Sequence, residues 1–450
     1  MEMSRRTFLG SGTALGLEAA RPAGDPPNIL FLLSDDQSHP ALGCNGDPVI
    51  QTPHLDGLAR RGVRFEQCYV ASPQCSPSRS AILTGSAPHT TLTSRLHSPM
   101  PPWQQTFLEP LRERGYFLGA YRKVHQGVEF DKRWDFYRDA RSPFAEFFEA
   151  RPKDRPFFLH IGFTDPHRPY YKGAIDPPHD RSRIPVPPFL PDTPGVREDL
   201  GMYYDFTARM DRDCGTILDL VRQHGLERDT LVLFTGDNGM PFPRAKGTCY
   251  DPGIRVPLLA SWPGVLPEGT VRSELISHVD LAATFCDAAD AAPLVRQQGQ
   301  SFWSLLRGGS YAARQAVFSE RNWQDNFDPI RCVRTERFKL ILNAIPELPY
   351  RPSLDIADSL SWKSILELAG RKAMKPEHRA LLDPNRPALE LYDLVHDPSE
   401  FDNLAGLSSS RKIVEDLTMR LSRWMQDTYD FLPPGVDFLG GLERTWPLVL

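Results

Sequence analysis

No apolar run in the sequence is long enough to cross a bilayer, which argues against an integral membrane protein. A basic excess is also missing: 52 Lys and Arg stand against 57 Asp and Glu, a net charge of −5. Nucleic-acid binders normally carry a cationic surface, so nucleic acid is not an expected partner. The seven cysteines (44, 68, 75, 214, 249, 286, 332) show no Cys-x-x-Cys or Cys-x-x-His spacing, so no structural zinc site is indicated. Internal repeats and low-complexity tracts are absent as well. Proline, by contrast, is abundant at 43, which points to many long ordered loops, and 450 residues suffice for one large domain or a large plus a small one.

Residues 28–34 form a continuous apolar run, as expected of a parallel strand covered on both faces. Residues 116–121, 156–163, 230–235 and 256–261 read as further strands, and 52–61, 105–114, 197–224 and 277–289 as helices. Strands alternating with helices predict an α/β fold, a large mostly parallel sheet sandwiched by helices. In such sheets the working groups collect at the carboxyl ends of the strands. Beyond about residue 320 the texture changes. Residues 330–342 read as one half-exposed antiparallel strand, 389–394 as a second, and 409–428 as an amphipathic helix. The expected division is therefore a catalytic domain over 25–320 and a smaller C-terminal α+β subdomain with an antiparallel sheet over 321–450.

Several residues could carry chemistry. Residues 72–85 read as a loop ending in a helix start, with Ser76 as cap, Pro77 in the first helical position and Gly85 closing the helix. Cys75 then sits just before a helix N-terminus with Arg79 one turn on, an environment that lowers a thiol pKa and suits a nucleophile. A buried structural cysteine is the alternative. Asp35-Asp36 follow the first strand directly, and Asp237-Asn238 follow the strand over 230–235. Adjacent carboxylates repel unless a cation lies between them, and such oxygen donors suit Ca²⁺ or Mg²⁺, although each pair alone also reads as a solvated turn. Lys123 and His125, two apart on an extended segment, point to one side. His167 follows an apolar strand, where it is placed for proton transfer.

The run Cys75-Ser76-Pro77-Ser78-Arg79, with Thr84-Gly85, resembles the Cys-x-Pro-Ser-Arg…Thr-Gly signature of the type I sulfatases. The resemblance implies an alkaline phosphatase-like sulfatase fold and oxidation of Cys75 to Cα-formylglycine by a formylglycine-generating enzyme. It also implies one divalent ion, Ca²⁺ with Mg²⁺ as the alternative, held by Asp35, Asp36, Asp237 and Asn238 with the oxygen of residue 75. Residues 115–125 resemble the family's second motif, departing from it at Leu118 and Arg122, where the motif has Thr and Gly. Within the family the resemblance is to the N-sulfoglucosamine sulfohydrolases, through residues 75–85, 165–168, 189–194, 209–211, 237–243, 390–393 and 396–398. It implies that Arg79, Lys123, His125, His167 and Lys246 act on a sulfated saccharide. His167 or Lys246 would protonate the leaving atom, and His125 would take a proton in the second half of the reaction. Lys246 stands where those relatives carry Arg, and Arg244 is the fallback. His97, Arg168, Tyr170 and Tyr171 could contact sugar or pack the rim.

Three rival readings remain at this point: an O-sulfatase on another polysaccharide, a phosphodiesterase or phosphonate hydrolase on the same fold, and a silent carbohydrate-binding protein with unmodified Cys75. Near the start, Ser4-Arg5-Arg6-Thr7-Phe8-Leu9 resembles a twin-arginine export signal over 1–24, with the mature chain starting near Asp25. That implies passage through the Tat translocase and a periplasmic or secreted protein.

Overall fold

The structure, a computed structural model, describes residues 26–139 and 142–432. The expected export signal over 1–24 lies outside them.

Nine strands form the main sheet: β1 (Asn28–Ser34), β2 (Val63–Tyr69), β3 (Phe117–Arg122), β4 (Phe136–Arg138), β5 (Phe157–Gly162), β6 (Thr230–Gly236), β7 (Arg255–Ser261), β8 (Thr270–Arg272) and β9 (Ile276–Ser277). Their order is β4-β3-β5-β1-β6-β7-β2-β8, with β9 beside β2. The run from β4 to β6 is parallel, and β7 is antiparallel to both of its neighbours. Burial on both faces is visible within β1 itself. Ile29, Phe31 and Leu33 enter one apolar cluster, and Leu30 and Leu32 enter another on the opposite face. That alternation explains why the strand reads as an unbroken apolar run.

Register fixes where the site falls. Leu33 of β1 lies level with Gly162 of β5 and Thr235 of β6, and Arg122 of β3 is level with Gly162. The chain segments that leave these four strands therefore emerge at one height. Helix α1 (Cys75–Thr84) follows β2 and ends at Gly85, whose left-handed φ of 64° lets its N–H reach the Ala81 carbonyl. The long helix α2 (Pro194–Gln223) starts with Thr193 as a side-chain cap and Pro194 in the first turn. Helix α3 (Asp280–Ala288) packs beside α1.

A second sheet has the antiparallel order β10 (Val317–Trp323), β11 (Phe327–Arg334), β12 (Phe338–Asn343) and β13 (Leu389–Asp393). Residues 330–342, expected as one strand, are parts of two strands of a hairpin whose turn carries no Gly, Pro or Asn. One face, with Val333, Leu340 and Leu391, packs on Val414, Leu417 and Leu421 of a terminal helix (Arg411–Asp427). The other face, with Ile330, Cys332 and Ile341, merges into the core of the main sheet. Between β12 and β13 lies a helical excursion beginning with α4 (Leu354–Ala357). No helix among the described residues is long and apolar enough to cross a membrane.

Candidate active site

Four neighbouring parallel strands deliver the polar residues. Asp35 and Asp36 follow β1, Asp237 and Asn238 follow β6, Lys123 and His125 follow β3, and His167 follows β5. Ladder hydrogen bonds continue past the strand ends to hold them: Asp237 N–H donates to the Ser34 carbonyl at 3.0 Å, and Lys123 N–H to the Gly162 carbonyl at 2.9 Å. Gly162 is required here, because a Cβ would lie 2.0 Å from the Lys123 carbonyl oxygen. Left-handed backbone is concentrated in the same place. Asp36, His97, Arg122, His125 and Arg244 all have φ between 61° and 67°. Such strain in non-glycine residues persists only where the surroundings enforce it. Arg122, standing at the motif's Gly position, adopts the conformation that Gly adopts most easily and is anchored by Asp213 at 2.8 Å.

Helix α1 brings Cys75 over this floor. Its thiol lies 3.3 Å from Asp35 Oδ1 and 3.8 Å from Asp36 Oδ1. Arg79 ties the parts together, donating from Nε to Asp237 Oδ2 at 2.8 Å and from Nη1 to the Lys123 carbonyl. Lys123 Nζ pairs with Asp35, and Lys246 Nζ with Asp36 at 2.8 Å. His167 Nε2 stands 3.7 Å from Asp36 Oδ2, while its Nδ1 faces the Arg168 carbonyl and must carry the proton there. His125 Nε2 meets His97 Nδ1 at 2.7 Å.

The electrostatics follow from burial. Burial works against ionised Asp35, yet Lys123, His167, Arg79 and Lys246 outweigh it and hold its carboxyl well below the usual range. Burial and the Asp35 charge push Asp237 up to about 6, because Arg79 and Lys123 offset them only in part. Burial opposes the Lys246 ammonium, but Asp36, Asp355 and Asp35 keep it charged well above its ordinary value. Burial, then Lys123 and Arg79, drive His125 down to about 2. The lowered thiol pKa expected for Cys75 is not found. Burial and the Asp35 carboxylate push the thiol well above its ordinary value, and the helix begins at Cys75 itself, with Gln74 as the residue before it and Pro77 inside the first turn. An unmodified Cys75 is thus a poor nucleophile at neutral pH.

The donor set suits a hard divalent cation. Asp35, Asp36, Cys75 and His167 each offer an atom within 4.8 Å of the others. Asn238 Oδ1 is buried and accepts no hydrogen bond, although its Nδ2 donates to Asp36 at 2.7 Å. Four carboxylates (Asp35, Asp36, Asp237, Asp355) face three permanent cations (Arg79, Lys123, Lys246). A divalent ion would turn one excess negative charge into one excess positive charge, which matches a singly charged sulfate monoester or sulfamate.

The other sequence candidates divide. His97 belongs to the site through His125. Arg168 does not: it is buried in a forked pair with Asp199, at 2.8 and 2.7 Å, and stacks on Tyr170. Tyr170 is half-buried and donates its hydroxyl to the Pro166 carbonyl at 3.0 Å, and Tyr171 remains exposed. Arg244 turns away to the carbonyls of Ser399 and Glu400, leaving Lys246 as the basic group of its loop. One residue escaped the sequence reading altogether. Asp355 of α4 places Oδ2 2.8 Å from Lys246 Nζ and 3.7 Å from His167 Nε2.

A sulfatase family profile matches residues 27–139 and 137–291, and the profile described as N-sulphoglucosamine sulphohydrolase, C-terminal, matches 244–345. The human N-sulphoglucosamine sulphohydrolase is 30% identical over 92% of this chain and 92% of its own length. The chain belongs to the sulfatase family. An ulvan-active sulfatase of Formosa agariphila is 29% identical to this sulfatase, over 89% of this chain and 74% of its own length. Among solved structures, an enzyme in complex with its substrate D-glucosamine-2-N,6-O-disulfate superposes with a TM-score of 0.70 at 19% identity, covering 92% of this chain and 100% of the other. A phosphonate monoester hydrolase of Agrobacterium radiobacter does so at 0.71 and 18%, covering 89% and 96%. These two likenesses establish the shared fold. Family membership makes this sulfatase a hydrolase of sulfuric esters or sulfamides.

Proposed function

We propose that this sulfatase removes the N-sulfate of glucosamine in heparan-type fragments, after conversion of Cys75 to formylglycine and with one Ca²⁺ (or Mg²⁺) held by Asp35, Asp36, Asp237, Asn238 and residue 75. The observation that carries the reaction class is the placement of Cys75 3.3 Å from Asp35, among carboxylates on one side and Lys123 and Lys246 on the other. The N-sulfate assignment rests on likeness to the human sulphohydrolase along nearly the full length of both chains. The ulvan-active relative keeps O-sulfate release from another polysaccharide as the second reading.

Formylglycine supplies a hydrated aldehyde oxygen as the nucleophile, and the cation polarises that oxygen and the sulfuryl group. The remaining work belongs to the chain. Lys123, Lys246 and His167 bind sulfuryl oxygens, where charge must be neutralised in the transition state. Arg79 locks Asp237 and the β3–β5 edge in register, so these charges are preorganised. His167, with Nδ1–H held by a carbonyl, can pass a proton from Nε2 to the leaving nitrogen when its ring is doubly protonated, as the Lys246 ammonium also could. His125, kept neutral by burial and its cationic neighbours, is suited to accept a proton in the second half-reaction. Export through the Tat route fits the basic pair at residues 5 and 6.

Mass spectrometry of the peptide spanning residue 75, with formylglycine about 18 Da lighter than cysteine, tests the modification. Sulfate release from N-sulfoglucosamine, set beside release from glucosamine 6-O-sulfate, tests the substrate. Turnover of the 6-O-sulfate alone would overturn the N-sulfate reading and leave an O-sulfatase.

A further inference from the structure

Asp355 is out of character for an anion site. Lys123, Lys246, Arg79 and His167 all favour a sulfuryl group, whereas a carboxylate repels one. The other three carboxylates lie at the floor with side chains at most 1% exposed, and they face the nucleophile and the ion. Asp355 differs in origin and in access. It arrives from the C-terminal region on α4, and its side chain is 21% exposed, comparable to Lys123 at 19% and His167 at 28%. It is therefore reachable from the same side as substrate.

Its placement is built. Ser353 Oγ donates to Oδ1, and the Leu354 N–H donates to Asp325 Oδ2 at 2.9 Å, which fastens α4 to the β10–β11 hairpin. Oδ2 lies between Lys246 Nζ and His167 Nε2, the two groups able to protonate a leaving atom.

We propose that Asp355 selects sulfamates over sulfate esters by accepting a hydrogen bond from the N–H of the leaving nitrogen. This deepens the N-sulfate reading above and rests on it. A sulfamate nitrogen carries a hydrogen before reaction and more after it, so it is a donor throughout. An ester bridging oxygen carries only lone pairs and builds up negative charge as the bond to sulfur breaks, which a carboxylate disfavours. During transfer the S–N bond breaks with its electron pair on nitrogen, as sulfur bonds to the incoming oxygen. Lys246 or His167 gives nitrogen one proton, yielding the amine, and water supplies another to form the ammonium ion beside Asp355. A site built to pair a donor rejects the analogue that lacks it far more strongly than one that merely fits its shape.

The test is the ratio of kcat/KM for N-sulfoglucosamine to kcat/KM for 4-nitrophenyl sulfate, an aryl ester, in wild type and Asp355→Asn. Both rates come from one preparation, so incomplete folding or modification cancels in the ratio. A charge-assisted hydrogen bond predicts a fall of about tenfold, and a fall of threefold or more supports the proposal. A smaller fall, an unchanged ratio or a rise overturns it, and so does an equal fall in kcat/KM for an alkyl sulfate, whose leaving oxygen needs the same proton, since that would mark a residue that only steadies Lys246. If Asp355→Asn yields no folded protein, Ser353→Ala, which frees the carboxylate to turn, is read against the same threefold limit. Wild-type enzyme inert towards N-sulfoglucosamine overturns the parent reading together with this one. Wild-type enzyme active on it, with an unmoved ratio, overturns this one alone.

Discussion

Among the described residues two largely buried clusters contain His and carboxylates packed within 4.8 Å, and they differ in what they leave unpaired. In the clasp that joins the end of the terminal helix to β10 and β11, Arg331 forks onto Asp430 at 2.5 and 2.8 Å and donates to two carbonyls. His89 lies between Glu320 and Thr428 Oγ1. Every side-chain polar atom of Arg331, Asp430, His89 and Glu320 has a partner. At the strand ends, by contrast, Asn238 Oδ1, Arg79 Nη2, His125 Nδ1 and both amide atoms of Gln74 are buried with no hydrogen-bond partner among the described residues. Buried polar groups are normally satisfied, so the first cluster reads as a structural joint and the second as the candidate active site. The contrast also teaches that proximity of ligand types is a weak sign of function. Spent donors are the better discriminator.

The largest effect expected is loss of activity without loss of fold. Cys75→Ala should lower sulfate release by at least about 10⁴-fold, as removal of a nucleophile does. Its thermal midpoint should stay within a few degrees of wild type. A residual rate near wild type would dissolve the distinction between the clusters. The clasp should behave in the opposite way. Arg331→Met strands Asp430 and should destabilise the protein by about 3–5 kcal/mol, read from denaturant midpoints. Residual activity per folded molecule should be unchanged. Chelation sharpens the comparison next. EDTA should abolish activity, and Ca²⁺ restored at about 100-fold over its Kd should stabilise the wild type by about 2.7 kcal/mol. Asp237→Asn should lose that increment, and Asp430→Asn should keep it.

Legibility in the sequence follows the same divide. Asp35-Asp36 and Asp237-Asn238 could be read because each pair directly follows its own apolar strand, so local sequence carried both the strand and its load. Cys75 and Arg79 were legible through one continuous motif. Asp355 was not, because only tertiary docking brings α4 to the strand ends, and a short Ser-Leu-Asp segment has no pattern of its own. Strand β2 was overlooked for a physical reason: Arg64, Glu66 and Gln67 interrupt it, since its outward positions are only half buried. Residues 330–342 read as one strand because the turn of the hairpin at 335–337, Thr-Glu-Arg, is held by the Thr335 hydroxyl bonding to Phe338 instead of by glycine. Arg168, open in the sequence between sugar contact and rim packing, could not be decided locally, since nothing near it announces that Asp199 of α2 will take two of its nitrogens.

The smallest effect concerns two buried histidines. His89 in the clasp faces carboxylates, whereas His278, wholly buried beneath α1, meets only the hydroxyls of Ser78 at 3.4 Å and Thr235 at 3.1 Å. With no anion to offset it, burial drives His278 down to about 3. The unfolded chain then binds a proton at His278 near pH 6.5, and the folded chain only near 3. Stability attributable to this group is complete above about pH 6.5 and is lost as the pH falls towards 3, at about 1.4 kcal/mol per unit. His278→Gln, which keeps hydrogen-bonding capacity but cannot titrate, should flatten the acid limb of the stability profile by that slope between pH 6 and 4. An acid limb as steep as in wild type would mean that burial beneath α1 does not hold His278 neutral.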